Sequence, residues 1–515
     1  MERKWWTLVA VCVAIFMLLL DITIVNVALP PIERSLHASF SDLQWVIDAY
    51  ALTLATCVLT AGSAGDLFGR KRTFVIGIVL FTVASTFCGL ANGPLFLILA
   101  RAVQGIGGSI MFATSLALLS QEFHGRERGT AFGIWGATTG AAVAIGPLAG
   151  GMLTTWLSWR WIFLVNVPIG IAAVVISVMK LRESKDPESG SIDPLGLVLL
   201  TGGVFCLVFA LIEGNRRGWT SGFIIGFFVA SAALLAGFVW QQLHRTRPML
   251  DFRLFRKPSF TAAQVAAFTL SSSIFAMFLY LTLYLQNVLG YSPLQAGLRF
   301  LPLSVLAFAA APVSGKLSAV VPVRFLMGGG LALVAVSLGL MGGLSETSGW
   351  MALLPGFLVA GVGIGLTNPA LATTAVSTVP RAQAGVGSGI NATFRQVGIA
   401  TGIAALGAFF QARITSEIGS SGLPGAGAIA HQVSSGQAPS SLGGVTAAQA
   451  LHVETVVRSA FVAGLNEILW IGAAVAAAGA VVAFALVRGR DFVESAPPVL
   501  AEAAAPTPAS PAPAG

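Results

Sequence analysis

Charge is what this sequence has least of. Only 10% of its 515 residues are Asp, Glu, Lys or Arg, and 56% are hydrophobic. A soluble chain carries about 25% charge, so this one cannot cover a water-facing surface, and a string of soluble domains is excluded. Cysteine is nearly absent: Cys12, Cys57, Cys88 and Cys206 all lie in apolar runs without a CxxC pair, which excludes a disulfide framework and a zinc ribbon. The five histidines fall in or beside loops, and none joins a Cys or carboxylate at metal-ligand spacing, so no enzyme, metal or cofactor is expected. No GxxxxGK[ST] loop is present, which argues against ATP.

Long apolar runs are abundant. Fourteen are long enough for a helix to cross a bilayer: 5–29, 42–62, 73–92, 94–121, 128–154, 159–181, 194–213, 221–242, 259–286, 294–318, 323–345, 349–371, 383–411 and 457–487. The first continues past Asp21 without an A-x-A cleavage site, so it reads as a span and not a signal peptide. With both termini cytoplasmic, twenty of the 29 basic residues fall on the inner side, including Arg70, Lys71 and Arg72. That is the positive-inside pattern, and it accounts for the net charge of +8 without a nucleic-acid partner.

The loops suggest a bundle over 1–182, a linker with spans 7 and 8 over 183–258, and a second bundle over 259–487. Within the last, 412–456 is Gly-, Ser- and Ala-rich and reads as a flexible external loop, while 488–515 reads as a disordered cytoplasmic tail.

Ionisable residues inside spans are costly, so they are expected to face a cavity or a partner. Asp21, Asp48, Arg101, Arg395 and Glu467 are such residues. A buried carboxyl can exchange protons between the two sides, and Asp21 and Asp48 are placed for this, with Arg101 as counter-charge. A purely structural role competes, most strongly for Glu467. Arg101, Gln104, Gly105 and Gly108 share one face of span 4, and Ser388, Asn391, Arg395 and Gly398 share one face of span 13. Two such stripes point to a central polar cavity between bundles. Its candidate lining is Gln104, Asn391 and Arg395, with Phe275, Phe278, Tyr280 and Tyr284 from span 9.

Glycine is plentiful and patterned. Span 5 holds Gly136-x-x-x-Gly140 and then Gly146-Pro147-Leu148-Ala149-Gly150-Gly151, small-residue spacings with a helix-bending proline. Between spans 2 and 3 lies Gly62-Ser63-Ala64-Gly65-Asp66-Leu67-Phe68-Gly69-Arg70-Lys71-Arg72. Its glycines permit a tight turn, Asp66 can cap or pair, and the basic triplet anchors at headgroups.

The segment 62–72 resembles the signature loop of the major facilitator superfamily. Arg101-Ala102-Val103-Gln104-Gly105 resembles that family's span-4 motif, and Gly146-Pro147 with Gly150-Gly151 resembles its antiporter motif. The run LDITIVNVALP over 20–30, Trp159–Phe163, Asn166–Gly170 and Gly389–Gln396 resemble the fourteen-helix drug:proton antiporters of the EmrB/QacA type.

The resemblance implies an all-α membrane protein of the major facilitator fold, two six-helix bundles plus two inserted helices. It implies proton coupling by Asp21 and Arg101, and a cytoplasmic latch including Gly62, Asp66, Gly69 and Arg70. Gly146, Pro147, Gly150 and Gly151 would shape the bundle interface. The implied function is proton-driven efflux of small amphipathic drugs or antibiotics across the bacterial cytoplasmic membrane, the proton gradient replacing any cofactor. Export of an endogenous lipid or natural product is the competing expectation. Span 13 has no acidic residue between Ala384 and Gln411, which weighs against dicationic cargo.

Overall fold

The computed structural model describes residues 2–123, 125–184, 193–245, 248, 250–318, 320–380, 383–421, 429 and 447–492. Every regular element among them is helical. Lipid offers backbone groups no hydrogen-bond partner, so each span must satisfy its own. The helices are α1 (Arg3–Leu36), α2 (Phe40–Phe68), α3 (Arg70–Gly89), α4 (Pro94–Glu122), α5 (Gly125–Trp156), α6 (Trp161–Leu164), α7 (Asn166–Lys180), α8 (Pro194–Arg217) and α9 (Gly222–His244). They continue with α10 (Pro258–Leu270), α11 (Ala276–Leu283), α12 (Pro293–Leu317), α13 (Val323–Met341), α14 (Leu354–Ser377), α15 (Ala384–Ser420) and α16 (Ala447–Leu486).

Thirteen spans among the described residues are long and apolar enough to cross a membrane, and the run expected as the fifth forms the 32-residue α5. The sixth run is α6 plus α7. The ninth is α10 and α11 joined by a π-helical turn at Ser271–Phe275 and followed by another at Tyr284–Val288. Starts and stops follow local chemistry. Ser39 with Asp42, and Ser292 with Gln295, form capping boxes on α2 and α12. Gly69 turns between α2 and α3 at φ 109°, a conformation that disfavours any side chain.

Two boundaries differ from expectation. The stretch 412–456 is helical at both ends, because α15 continues to Ser420 and α16 starts at Ala447. Buried Ile414 and Ile418, and the Arg413–Glu417 pair at 2.7 Å, give α15 a helical face that the Gly/Ser-rich composition obscured. Residues 422–428 and 430–446 lie outside the described residues. The tail begins anchored: Ser259 donates to the Asp491 carboxylate from its N–H (3.0 Å) and hydroxyl (2.8 Å), and Arg488 N–H donates to Ser259 Oγ at 2.7 Å. Residues 493–515 lie outside the described residues.

Helices α1 to α7 pack on one another, as do α10 to α16. The α8–α9 hairpin lies against α2 and α15. Thr60 and Thr201 hydrogen-bond at 2.9 Å, and Asn215 donates to the Ala404 carbonyl at 3.1 Å, so α8 touches both sets. The sets meet along α5–α12 and α2–α15. There the backbones nearly touch: a β-carbon on Gly129 would strike the Gly315 carbonyl, and one on Gly133 would meet Ala311 and Pro312.

Candidate functional site

Helix α1 buries Val11, Ala14, Leu18, Asp21, Val25, Ala28 and Ile32, alternating steps of three and four residues. Asp21 therefore sits mid-stripe and points inward, as does Arg101 on α4 between buried Leu97 and Gln104. The two meet: Arg101 Nη1 donates to Asp21 Oδ2 at 2.5 Å. Gln104 Nε2 (2.9 Å) and Asn166 Nδ2 (3.3 Å) donate to Asp21 Oδ1. Arg101 also donates to Gln104 Oε1 (2.8 Å) and the Val46 carbonyl (3.1 Å), and lies 4.2 Å over the Tyr50 ring. Asn166 donates to Ser85 Oγ at 3.0 Å, and Ser85 donates to the Phe163 carbonyl at 2.9 Å.

Close helix approach permits this packing. A β-carbon on Gly105 would collide with Thr53 and the Tyr50 carbonyl, so only glycine lets α2 carry its tyrosine over the guanidinium. A buried charge left alone costs several kcal/mol. Here α1, α2, α3, α4 and α7 jointly satisfy one pair. Gln104, expected to line the central cavity, instead belongs to this walled-in cluster.

The other carboxyls lie apart. Asp48 is half-buried on α2 and sits within electrostatic range of Arg216 and Glu213 on α8. Glu213 is itself buried and paired with Arg216 (2.6 Å) and Arg217 (2.7 Å). Glu467 is half-exposed on α16, 3.8 Å from Arg413, as a surface pair would be.

A second constellation closes the seam at its basic end. Asp66 accepts from Arg70 Nε (2.9 Å) and Nη2 (2.8 Å), and from the backbone N–H groups of Gly385 (3.2 Å) and Val386 (3.0 Å). Those amides open α15, so a carboxylate of the first helical set caps a helix of the second, where the helix dipole favours negative charge. Gly62 fits against Gly385 with no room for a β-carbon. Glu183, unnoticed in the sequence, accepts from the Lys71 and Arg72 amides at 3.1 Å each and caps α3.

The span-5 glycines divide by face. Gly146 and Gly150 press on Thr23, Ile24 and Val27 of α1, within the first set. Their expected place at the interface is corrected: Gly129, Gly133, Gly136 and Gly140 face α12 and α14, and of the motif's three glycines only Gly151 looks across, to Leu294 at 3.8 Å. A helix turns about 100° per residue, so positions 146 and 129 need not share a side. The side chain of Pro147 lies outside the described ones.

At mid-seam a cavity is lined by Thr139 and Gly140 of α5 and by Phe278, Leu303, Ser304, Ala307, Ile364 and Asn368. Arg395, buried on α15, reaches this lining by donating to Asn368 Oδ1 at 2.7 Å. Asn391 does not reach it, because its amide donates to the Ala263 carbonyl and Gln264 Oε1 between α10 and α15. Tyr280 and Tyr284 are also corrected. Both are buried in the second core, donating at 2.8 Å to the carbonyls of Ile403 and Ser348. They stand one turn apart on one face, whereas Phe278 faces nearly opposite, so one cavity cannot receive all three. The Phe275 side chain lies outside the described ones.

A family model described as the Major Facilitator Superfamily matches residues 11–403. The chain is 34% identical to the tetracenomycin C resistance and export protein of Streptomyces glaucescens, over 93% of this chain and 91% of that protein. It is 36% identical to the multidrug resistance protein Stp of Mycobacterium tuberculosis, over 80% of this chain and 77% of that one. In fold it resembles a proton:xylose symporter (TM-score 0.64, 11% identity, 94% of this chain and 96% of that chain).

Proposed function

The chain belongs to the major facilitator superfamily, and from that premise we propose that it exports amphipathic drugs or antibiotics by proton antiport. The membrane is the bacterial cytoplasmic membrane, with both termini and the Asp66 end cytoplasmic. The observation that carries the coupling is the buried Asp21–Arg101 pair. With Asp21 ionised, the pair draws α1 and α4 together. Protonation cancels the anion and leaves Arg101 buried without its charge partner, which costs several kcal/mol and favours a rearrangement that rehydrates it. Alternating access then opens and closes the Asp66–α15 contact, while a small amphipathic molecule occupies the cavity around Phe278 and Asn368. Asp48, at the α8 edge, is a second coupling group in this reading. Energy comes from the proton gradient alone, and the chain acts as a transporter, without ATP, cofactor or nucleic acid.

The test is efflux driven by an imposed pH gradient in everted vesicles. Asp21→Asn is expected to abolish gradient-driven efflux while the protein stays in the membrane. Normal, proton-coupled transport by that variant would sink the assignment. A dedicated exporter of an endogenous lipid or natural product is the second reading, favoured by the relative named for exporting tetracenomycin C. It prevails if expression protects cells from one compound but from none of a broad drug panel.

A further inference from the structure

Asp21 meets three donors, and they differ in what they can do when a proton arrives. Arg101 has no acceptor to offer. The Gln104 oxygen is occupied, accepting from Arg101 Nη1 at 2.8 Å and from Cys88 Sγ at 3.5 Å. Asn166 is different: its amide nitrogen serves Asp21 and Ser85, while its oxygen is buried with no hydrogen-bond partner. A buried amide oxygen left unmet is unusual in a network where every neighbour is engaged. The oxygen has no bond to lose, so turning the amide over about its last side-chain torsion would set an acceptor against Asp21. Ser85, whose hydroxyl both donates and accepts, can follow that turn.

We propose that Asn166 is a positioning residue that swings with the protonation of Asp21, donating to the carboxylate and accepting from the acid. This rests on the reading that Asp21 carries the coupling proton. The titratable and charged groups facing Asp21 are Arg101 on α4, Tyr50 on α2 and Cys88 on α3. Tyr50 donates to the Leu18 carbonyl at 3.4 Å, so its hydroxyl is turned to the backbone. The neighbouring stretch of α5 presents glycines, and its Glu127 lies at the far end with Lys4.

The direction of the effect follows from the distances. As a donor, Asn166 is the longest of the three to Asp21, so the carboxylate loses little without it. Of the three donors to Asp21 it is the one whose oxygen has no hydrogen-bond partner, so the acid loses most. Asn166→Leu is therefore expected to move the midpoint of the pH profile of efflux by about one unit towards lower pH, a tenfold loss of proton affinity. Asn166→Thr, whose hydroxyl keeps both roles, is expected to retain the wild-type midpoint.

An infrared pH-difference spectrum of the wild-type protein gives a readout that needs no Asn166 variant to fold. The acid carbonyl band that disappears in Asp21→Asn should lie at the low-frequency end of its range, as for a hydrogen-bond-donating acid. A free-acid band, or an unmoved or alkaline-shifted midpoint in Asn166→Leu, overturns the proposal and leaves the coupling role of Asp21 standing. If Asp21→Asn keeps the wild-type pH profile, the coupling reading fails and the swing falls with it.

Discussion

Asp66 gathers four hydrogen bonds on one carboxylate, two from its own helix set and two from the start of α15. A carboxylate at a helix N-terminus contributes up to about 2 kcal/mol in a partly buried setting. Asp66→Ala is therefore expected to shift the balance at this end towards the open form by up to about 30-fold. Cysteine accessibility across the α2–α15 contact, at unchanged protein level, measures that shift. Asp193 offers a pH test. Burial pushes its carboxyl up, but the Gly196 amide, Gln241, Gln242 and Arg245 outweigh this and hold it below the usual range. A depressed folded value means the stabilisation is complete above the unfolded value, about 3.9, and fades as pH falls through the folded one. Hydrogen-exchange protection in α8 and α9, taken relative to the unfolded chain at each pH, should thus be steady from about pH 5 upward and fall below about pH 4. Asp193→Ala should loosen the hairpin at neutral pH by about 3 kcal/mol. Asp21 and Arg101 were legible in the sequence because a charge in an apolar run demands a reason. Asn166 was legible only as part of the motif-like segment 166–170, and Ser85 and Asn368 not at all, since small polar residues in spans are usually absorbed by their own backbone, as Thr82 and Thr139 are.

Among elements, α5 shows best how a helix divides its work. Its N-terminal glycines touch the second set backbone to backbone, while Gly146 and Gly150 seat α1 one turn from Asp21. Gly129→Ala would thrust a methyl into the Gly315 carbonyl, and overpacking of this kind costs about 1–3 kcal/mol. Efflux is expected to fall at least about tenfold, whereas Gly151→Ala, with 3.8 Å to Leu294, should leave it within about twofold. Comparing both variants at matched membrane levels decides the point, and equal loss would refute the difference in closeness between these two positions on the α12 side. Glycine spacing announced close packing along α5, but not which neighbour each glycine meets. That depends on the angular position of each residue and on chains distant in sequence. The same limit put Tyr280 and Tyr284 in the wrong compartment, although the helical nature of their span was plain from its length.

At the scale of the whole molecule, the spans were readable because lipid imposes one rule on every segment. A cavity between the bundles was expected, but of the residues expected to line it only Phe278 does so among the described residues, because the lining is assembled from α5, α11, α12 and α14. Six of its eight lining residues come from the second set, while the Asp21 cluster lies inside the first. Phe278→Ala should therefore weaken handling of bulky aromatic cargo, raising apparent KM about tenfold, while the pH midpoint of efflux stays put. A joint shift of both quantities would show that the two sites are one. Their separation also bears on inheritance. A lineage can rewrite the lining around Phe278, Leu303 and Ile364 to meet a new toxin without disturbing the ion pair. Under the proposed mechanism, selection can then diversify what is expelled while the driving machinery is passed on intact.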